Sequence, residues 1–169
     1  STERKRIMEL VGEGERILVM FSGCGPYTCV LSKNTLAAEV VGVEINPAGH
    51  ELAMRNIKRN KLKNATTYCG DVRDVVPEIV EKTGRFNRIL LPLPKDAEHF
   101  LDVALGAAAD GAVVHFYSFL HEDEQEQALM WIREACKRAG KRFTIHGTTT
   151  CGQQAPHVYR YCTDFTISY

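Results

Sequence analysis

The sequence predicts an α/β fold: a doubly wound, mostly parallel sheet with helices on both faces and an antiparallel last strand. Apolar runs of strand length alternate with amphipathic helical patterns along the chain of 169 residues, which is typical of doubly wound proteins. The stretch Arg16–Asn46 reads as a strand, a glycine turn, a helix and a strand, the layout of a nucleotide-binding βαβ unit. The stretch Val158–Ser168 begins with alternating residues, as antiparallel strands do.

The predicted helices begin and end at recognisable signals. Ser1 or Thr2 can cap the first helix, and Pro26 and Pro47 suit the first turns of the second and third, where the N–H that proline lacks has no helical partner. Gly140 ends the last helix. The predicted helices are Thr2–Val11, Pro26–Asn34, Pro47–Asn60, Val72–Lys82, Asp96–Ala109 and His121–Ala139.

The predicted strands are short apolar runs that stop at glycine, proline or an acid. His115 and Tyr117 alternate with apolar residues in the fifth strand, and we expect both to be packing residues in a buried sheet. The segment Gly147–His157 is predicted to be a loop between the last two strands. The predicted strands are Arg16–Phe21, Glu39–Glu44, Ala65–Cys69, Phe86–Leu91, Ala112–Phe119, Arg142–His146 and Val158–Ser168.

The residues at the carboxyl ends of these strands indicate the ligand, because ligands of such sheets bind at that edge. A dinucleotide fingerprint requires a small residue three positions after the second glycine, where this chain has Thr28. An S-adenosylmethionine fold requires glycines after the first strand, an acid ending the second, Asp after the third and a proline motif after the fourth. All four features are present, at Gly23, Gly25, Glu44, Asp71, Pro92 and Pro94. The sequence therefore predicts a Rossmann-like domain that binds S-adenosylmethionine.

The composition of the chain restricts which other ligands and which cellular locations we expect. Lys+Arg and Asp+Glu both number 21, so the net charge is formally zero, which argues against strong electrostatic binding of nucleic acid by this domain alone. The six cysteines lack metal-ligand or CxxC spacing, so we expect reduced thiols, no metal and a cytoplasmic location. No apolar run has the length of a membrane helix, so we expect no contact with membrane. The chain begins without Met inside a helical pattern, which favours a fragment of a longer protein.

Several segments of the chain resemble one enzyme family. They are FSGCGPYTCVLSK, GVEINPAGHELAMRNIKRNKL, GDVRDV, NRILLPLPKDAEHFLDVAL, GAVVHFYSF and PHVYRYCTDFTI. They resemble the archaeal-and-eukaryotic-type tRNA guanine-37 N1-methyltransferases, whose sister family is the aminocarboxypropyl transferases of wybutosine synthesis. The resemblance covers residues 1–169 and implies a catalytic domain with the class I S-adenosylmethionine-dependent methyltransferase fold. It also implies that the N-terminal domains with which those families grip tRNA are missing here.

The resemblance implies a set of cofactor-binding residues. Within it, Glu44 would bind the ribose hydroxyls of S-adenosylmethionine, and Asp71 with Val72 would bind the adenine edge. Asp71 also reads as an ordinary helix N-cap, and the two roles are compatible. The whole set is Phe21, Gly23, Gly25, Glu44, Ile45, Asp71 and Val72.

The resemblance also implies catalytic residues. Glu3 aligns with the glutamate proposed as general base, because guanine N1 must lose a proton when it is methylated. The family pattern after the fourth strand is Asn-Leu-Pro, whereas this chain has Pro92-Leu93-Pro94. Pro92 offers neither an amide side chain nor an N–H to the target base, although its carbonyl can accept from an exocyclic amine.

We interpret the chain as a tRNA methyltransferase that acts on N1 of guanine 37, beside the anticodon. One alternative is aminocarboxypropyl transfer from the same cofactor, which the departure at Pro92 leaves open. Another is a cofactor-binding module, or a fragment that is inactive alone. Contact with tRNA could involve Arg55, Lys58 and Arg59 on the third helix, although such a basic face is more commonly only solvated.

Overall fold

The computed structural model describes residues 1–92 and 97–169, which build a sheet of seven strands in the order β3-β2-β1-β4-β5-β7-β6. The first five strands are parallel, and β7 runs antiparallel to both β5 and β6. The strands are β1 Arg16–Met20, β2 Glu39–Glu44, β3 Ala65–Cys69, β4 Phe86–Leu91, β5 Ala108–His121, β6 Arg142–Ala155 and β7 Val158–Ser168. This topology confirms the predicted doubly wound sheet with an antiparallel last strand.

The helices begin at the capping signals that the sequence contains. Ser1 accepts a hydrogen bond from the Arg4 N–H at the start of the first helix, and Asn46 accepts from the Ala48 N–H at the start of the third. Gly140 ends the last helix in the left-handed conformation, which costs glycine little. The helices are α1 Thr2–Leu10, α2 Pro26–Asn34, α3 Pro47–Arg59, α4 Val72–Thr83, α5 Leu101–Ala107 and α6 Glu126–Ala139.

The sheet is buried on both faces. Alternate residues of β1 point to opposite sides, so Leu18 belongs to one apolar cluster and Val19 to the other. The first cluster includes residues of α4, α5 and α6, and the second includes residues of α1 and α2. This burial explains why the central strands read as continuous apolar runs.

Two predicted boundaries are wrong at β5 because strand pairing extends beyond the apolar run. β5 begins at Ala108, where it pairs with Phe86 of β4, so the fifth helix ends before the predicted Ala109. β5 also continues to His121, which pairs with Val158 of β7. The α6 helix therefore begins at Glu126 rather than at His121.

The predicted loop Gly147–His157 is also wrong. β6 extends to Ala155 and pairs with β7 along this length, with irregular register at three places. Such β-bulges absorb extra residues and glycines at a sheet edge without ending the strand. The sequence pattern lacks the alternation of a buried strand here because β6 is an edge strand whose residues in this part are mostly exposed.

Among residues 1–92 and 97–169, no helix has both the length and the apolar character needed to cross a bilayer. The six cysteines are all free thiols.

Candidate functional site

A glycine turn connects β1 to α2 at the carboxyl edge of the sheet. Gly23 and Gly25 have left-handed φ values of 59° and 88°, which glycine adopts without strain. A Cβ on Gly25 would lie 3.3 Å from the Cβ of Ala53, whereas a Cβ on Gly23 would meet nothing within 4 Å. Gly25 therefore permits close packing against α3, and Gly23 faces open space. Phe21 also has a left-handed φ, of 56°, which is uncommon for a residue with a Cβ.

Glu44 at the end of β2 is held against this turn. Its Oε1 accepts a hydrogen bond of 2.8 Å from the Gly23 N–H, and its Oε2 accepts one of 2.9 Å from the Asn46 N–H. Each carboxylate oxygen has a second acceptor site, so the side chain is fixed in place and can still accept hydrogen bonds. The next residue, Ile45, presents its side chain to solvent, with 61% of its surface exposed.

Two buried hydroxyls lie behind the turn. Ser22 Oγ and Thr28 Oγ1 have no hydrogen-bond partner among the described residues. A Cβ on Gly42 of β2 would lie 2.9 Å from Ser22 Oγ and 2.8 Å from Thr28 Oγ1, so only glycine fits this close approach. Buried hydroxyls without a partner are uncommon in folded proteins, and these two lie against the backbone of β2.

A cavity of about 320 Å3, which we name the turn cavity, opens at this edge of the sheet. Its wall comes from the start of α1, the glycine turn, the residue after β4 and one residue of β7. The described residues that line it are Ser1, Arg4, Phe21, Ser22, Gly23, Cys24, Pro26, Tyr27, Pro92 and Arg160. The structure thus brings together three residues predicted from the sequence, Phe21, Gly23 and Pro92. Pro94 lies outside the described residues.

Asp71 and Val72 lie at the start of α4. Asp71 caps this helix by accepting from the Arg73 N–H at 2.9 Å, and it forms an ion pair of 2.6 Å with the Arg73 guanidinium. The hydrogen bonds from Arg73 lower the pKa of the Asp71 carboxyl. The Val72 side chain is buried, while its backbone N–H lies in the first turn of the helix, where no helical partner exists. The helix-cap reading of Asp71 is confirmed, and the adenine contact stays a prediction.

Glu3 is a buried residue of α1. Its carboxylate accepts hydrogen bonds of 2.7 and 2.9 Å from the Arg6 guanidinium and one of 2.6 Å from the Tyr117 hydroxyl. Burial raises the pKa of Glu3, but these hydrogen bonds from Arg6 and Tyr117 outweigh it, so the pKa is lowered. Glu3 is not among the described residues that line the turn cavity, and its role as a base stays a prediction.

The charged cluster continues from Arg6 across the sheet. Arg6 pairs with Asp164 of β7 at 2.6 Å, Asp164 contacts His115 Nδ1 at 2.6 Å, and His115 Nε2 lies 2.8 Å from Arg88. Arg88 also pairs with Glu15 at 2.8 Å. A guanidinium only donates hydrogen bonds, so His115 Nε2 accepts and Nδ1–H donates to Asp164. We name this cluster, with Glu3 and Tyr117, the buried network.

The buried network determines the charge of its members. Burial lowers the pKa of His115, although the hydrogen bond to Asp164 opposes it, so the imidazole is neutral. Burial raises the pKa of Asp164, but the hydrogen bonds from His115 and Arg6 hold it well below its ordinary value. His115 and Tyr117 are buried, as predicted, but they are members of this hydrogen-bonded network rather than apolar packing residues. A polar residue in a strand that is otherwise predicted to be buried indicates that its side chain has hydrogen-bond partners inside the fold.

Comparison with known proteins identifies the family. A family model described as the TRM5/TYW2 methyltransferase domain matches residues 1–145. The chain belongs to this family.

Several members of the TRM5/TYW2 family are similar to this chain. The tRNA (guanine(37)-N(1))-methyltransferase Trm5b of Pyrococcus abyssi is 34% identical over 170 residues, which cover 100% of this chain and 49% of that protein. The crystal structure of Trm5b from P. abyssi superimposes with a TM-score of 0.89, at 33% identity, over 99% of this chain and 48% of that one. Methanocaldococcus jannaschii Trm5 in complex with adenosine gives a TM-score of 0.84 at 30% identity, over 99% of this chain and 48% of that one.

A sister enzyme is also related. The tRNA(Phe) (4-demethylwyosine(37)-C(7)) aminocarboxypropyltransferase of M. jannaschii is 26% identical over 163 residues, which cover 96% of this chain and 64% of that protein. The chain spans about half the length of the Trm5b relatives that it matches. These findings confirm the resemblance identified from the sequence segments.

The buried network of this TRM5/TYW2 domain also contains a donor set that can ligate metals. A ring nitrogen of His115, Cys162 Sγ and an Asp164 oxygen lie within 4.8 Å of one another. However, His115 Nδ1 and Asp164 already share a hydrogen bond, and the Arg6 and Arg88 guanidiniums contact this pair. Two cations in place disfavour a third, because like charges repel strongly in a buried site. The donor set therefore fits a hydrogen-bonded cluster better than a metal site.

The basic face of α3 is exposed in this TRM5/TYW2 domain. Arg55 pairs with Glu51 of the same helix at 2.9 Å, and Lys58 and Arg59 are exposed near its end. An exposed pair of this kind contributes little to stability. Contact of this face with tRNA stays a prediction.

The sequence did not predict the other seven lining residues of the turn cavity as site residues, and Arg4, Tyr27 and Arg160 are among them. Arg160 carries a signal in the sequence, since it is a charged residue between two tyrosines in a strand that contains buried residues. Arg4 and Tyr27 lie in helices, where nothing in the local pattern separates them from ordinary surface or core positions.

Proposed function

We propose that residues 1–169 form a catalytic domain that binds S-adenosylmethionine at the glycine turn and transfers its methyl group to N1 of guanine 37 in tRNA. The observation that carries the proposal is the Glu44 carboxylate fixed against Gly23 in a domain of the TRM5/TYW2 family. Membership of the family supports the reaction class, and the name of the P. abyssi relative supports tRNA guanine 37 as the substrate.

The residues at the turn fit an adenosine-containing ligand. Glu44 keeps free acceptor sites for two ribose hydroxyls, and the open side of Gly23 leaves room for the ligand. The Val72 N–H, in the first turn of α4, offers a donor to the adenine edge. The adenosine complex of M. jannaschii Trm5 supports this assignment. The cofactor supplies an activated methyl group on its sulfonium; this chain's residues bind and orient it.

Guanine N1 must lose a proton during the reaction, and Glu3 is the proposed acceptor. Tyr27 of the turn cavity shares a hydrogen bond of 2.9 Å with Tyr117, and Tyr117 donates one of 2.6 Å to Glu3. This line of hydrogen bonds connects the cavity wall to the carboxylate. Glu3→Gln should reduce turnover at least tenfold and leave cofactor affinity unchanged, whereas full turnover in that variant would exclude the role.

Pro92 favours a second candidate, aminocarboxypropyl transfer to tRNA. It lines the turn cavity and occupies the position where the methyltransferase pattern has Asn. A proline there can offer only its carbonyl to a target base. The aminocarboxypropyltransferase of M. jannaschii, which is related along 96% of this chain, supports the candidate.

Two labelled cofactors distinguish these functions. The protein is incubated with tRNA and S-adenosylmethionine that carries label either in the methyl group or in the carboxyl group, and the tRNA is digested to nucleosides. Methyl label in 1-methylguanosine supports the proposed function. Carboxyl label in a nucleoside supports aminocarboxypropyl transfer. If tRNA receives neither label although calorimetry detects binding of S-adenosylmethionine, the chain is a cofactor-binding module and the proposed function is wrong.

A further inference from the structure

We propose that Arg160 and Arg4 form an oxyanion-binding subsite in the wall of the turn cavity. The oxyanion is the carboxylate of bound S-adenosylmethionine or a phosphate of the bound RNA strand, both of which present paired oxygens to a guanidinium. The inference rests on the proposed function and adds two residues that neither the motifs nor the cofactor contacts assign.

The guanidinium of Arg160 is held in a defined orientation. Arg160 is half-buried in β7, paired with Phe119 of β5, and its Cζ lies 4.3 Å from the centroid of the Tyr117 ring. Tyr117 is fully buried, and its hydroxyl is fixed by the hydrogen bond to Glu3. Stacking on a fixed aromatic face orients the planar donor group of arginine before a ligand arrives.

The donors of this guanidinium are unused within the described part of the chain. There, neither Arg160 nor Arg4 forms an ion pair, whereas Arg6, Arg16 and Arg88 all pair with carboxylates. Glu3, the acid of the same region, is already occupied by Arg6 and Tyr117. A partly buried guanidinium without acceptors is unfavourable, because the group has lost some water without gaining a hydrogen-bond partner.

The turn cavity is locally positive in a chain that is neutral as a whole. Lys+Arg and Asp+Glu both number 21, yet the charged residues among the described lining of this cavity are Arg4 and Arg160. The field of two cations is stronger in a concave, partly dry site than on an open surface. A guanidinium prefers carboxylate or phosphate, whose paired oxygens match its two parallel N–H donors.

The position of the cavity admits both sources of the oxyanion. Gly23 lines it and contacts Glu44, so the amino-acid end of a cofactor bound by Glu44 can reach the two arginines. Pro92 lines it too, so the phosphate of a nucleotide placed there can also reach them.

The test compares Arg160→Gln with Arg142→Gln. Arg142 is the control because it is also a strand arginine, but it is exposed and donates to the Tyr169 carbonyl at the opposite end of the sheet. Calorimetry measures binding of S-adenosylmethionine and of 5′-methylthioadenosine, which keeps the adenosine and lacks the carboxylate. Filter binding measures tRNA affinity over a range of salt concentrations.

We expect Arg160→Gln to lower the affinity for one of the two anionic ligands by roughly 10- to 100-fold. Arg142→Gln should lower the affinity for neither. If the cofactor carboxylate is the ligand, S-adenosylmethionine binding falls and 5′-methylthioadenosine binding does not. If an RNA phosphate is the ligand, both small molecules bind as before, tRNA affinity falls, and the slope of log affinity against log salt decreases by about 1. Arg160→Lys should restore only part of the lost affinity, because the ammonium group of lysine is a point charge and lacks the two parallel N–H donors of a guanidinium.

The subsite is refuted if Arg160→Gln binds S-adenosylmethionine and tRNA as the unmodified chain does, or if both variants lose affinity equally. Inorganic phosphate, titrated at constant ionic strength, provides a probe that does not depend on the proposed function. Thermal stabilisation by phosphate that Arg160→Gln abolishes would support the subsite even if S-adenosylmethionine failed to bind. Failure of S-adenosylmethionine to bind would then refute the proposed function and leave the subsite standing.

Discussion

Replacing Glu44 with alanine removes the acceptor that fixes the glycine turn. The carboxylate accepts from two backbone N–H groups, at 2.8 and 2.9 Å, and hydrogen bonds to a charged group contribute about 1.5–3 kcal/mol each. Asn46 is exposed and Glu44 is half-buried, so water replaces part of this loss. We therefore expect Glu44→Ala to lower the free energy of unfolding by about 1–3 kcal/mol. Separately, loss of the ribose contacts should weaken binding of S-adenosylmethionine by about 1–3 kcal/mol, or roughly 5- to 150-fold.

Urea unfolding measures the first effect, and calorimetry with S-adenosylmethionine measures the second. Glu51→Ala is the control, because Glu51 is an exposed acid of α3 whose ion pair is with Arg55. Glu44→Gln should give an intermediate result, since its amide retains one acceptor but turns a donor towards the other backbone N–H. If Glu44→Ala destabilises the chain and binds S-adenosylmethionine with unchanged affinity, Glu44 only supports the turn and its assignment to the ribose is wrong.

Three further predictions concern stability. Arg6→Met leaves the Asp164 carboxylate without its guanidinium partner and should lower the free energy of unfolding by about 3–5 kcal/mol; a loss below about 1 kcal/mol in urea would contradict the buried network. Because the pKa of His115 is lowered below 6.5 on folding, the unfolded chain binds a proton first as pH falls, so stability should decrease from about pH 7 to pH 5. His115→Asn should flatten that part of the profile. Gly42→Ala places a Cβ 2.9 Å from Ser22 Oγ and should cost about 1–3 kcal/mol in urea unfolding, whereas unchanged stability would mean that the turn moves freely.

Local signals accounted for most of the fold. Asn46 followed by Pro47 predicts a capped helix, and the structure has that cap and that first-turn proline. Helix starts depend on residues within one turn of each other, so a short stretch contains the information. The segment after His146 was misread because its strand character depends on pairing with β7. Such pairing is set by tertiary context, which overrides weak local preference.

The glycine turn, the acid at the end of β2 and the order of helices and strands can be read from the chain alone. Those features occur at spacings fixed by the geometry of a βαβ unit. The contacts between side chains of different elements, in contrast, follow only from the three-dimensional arrangement. Arg6 and Asp164 are 158 positions apart in the chain and lie 2.6 Å apart, and Arg160 reaches the turn cavity from β7. Contacts of this kind depend on strand register and helix placement, and a shift of one residue in a strand would abolish them. No local pattern in the chain therefore encodes them.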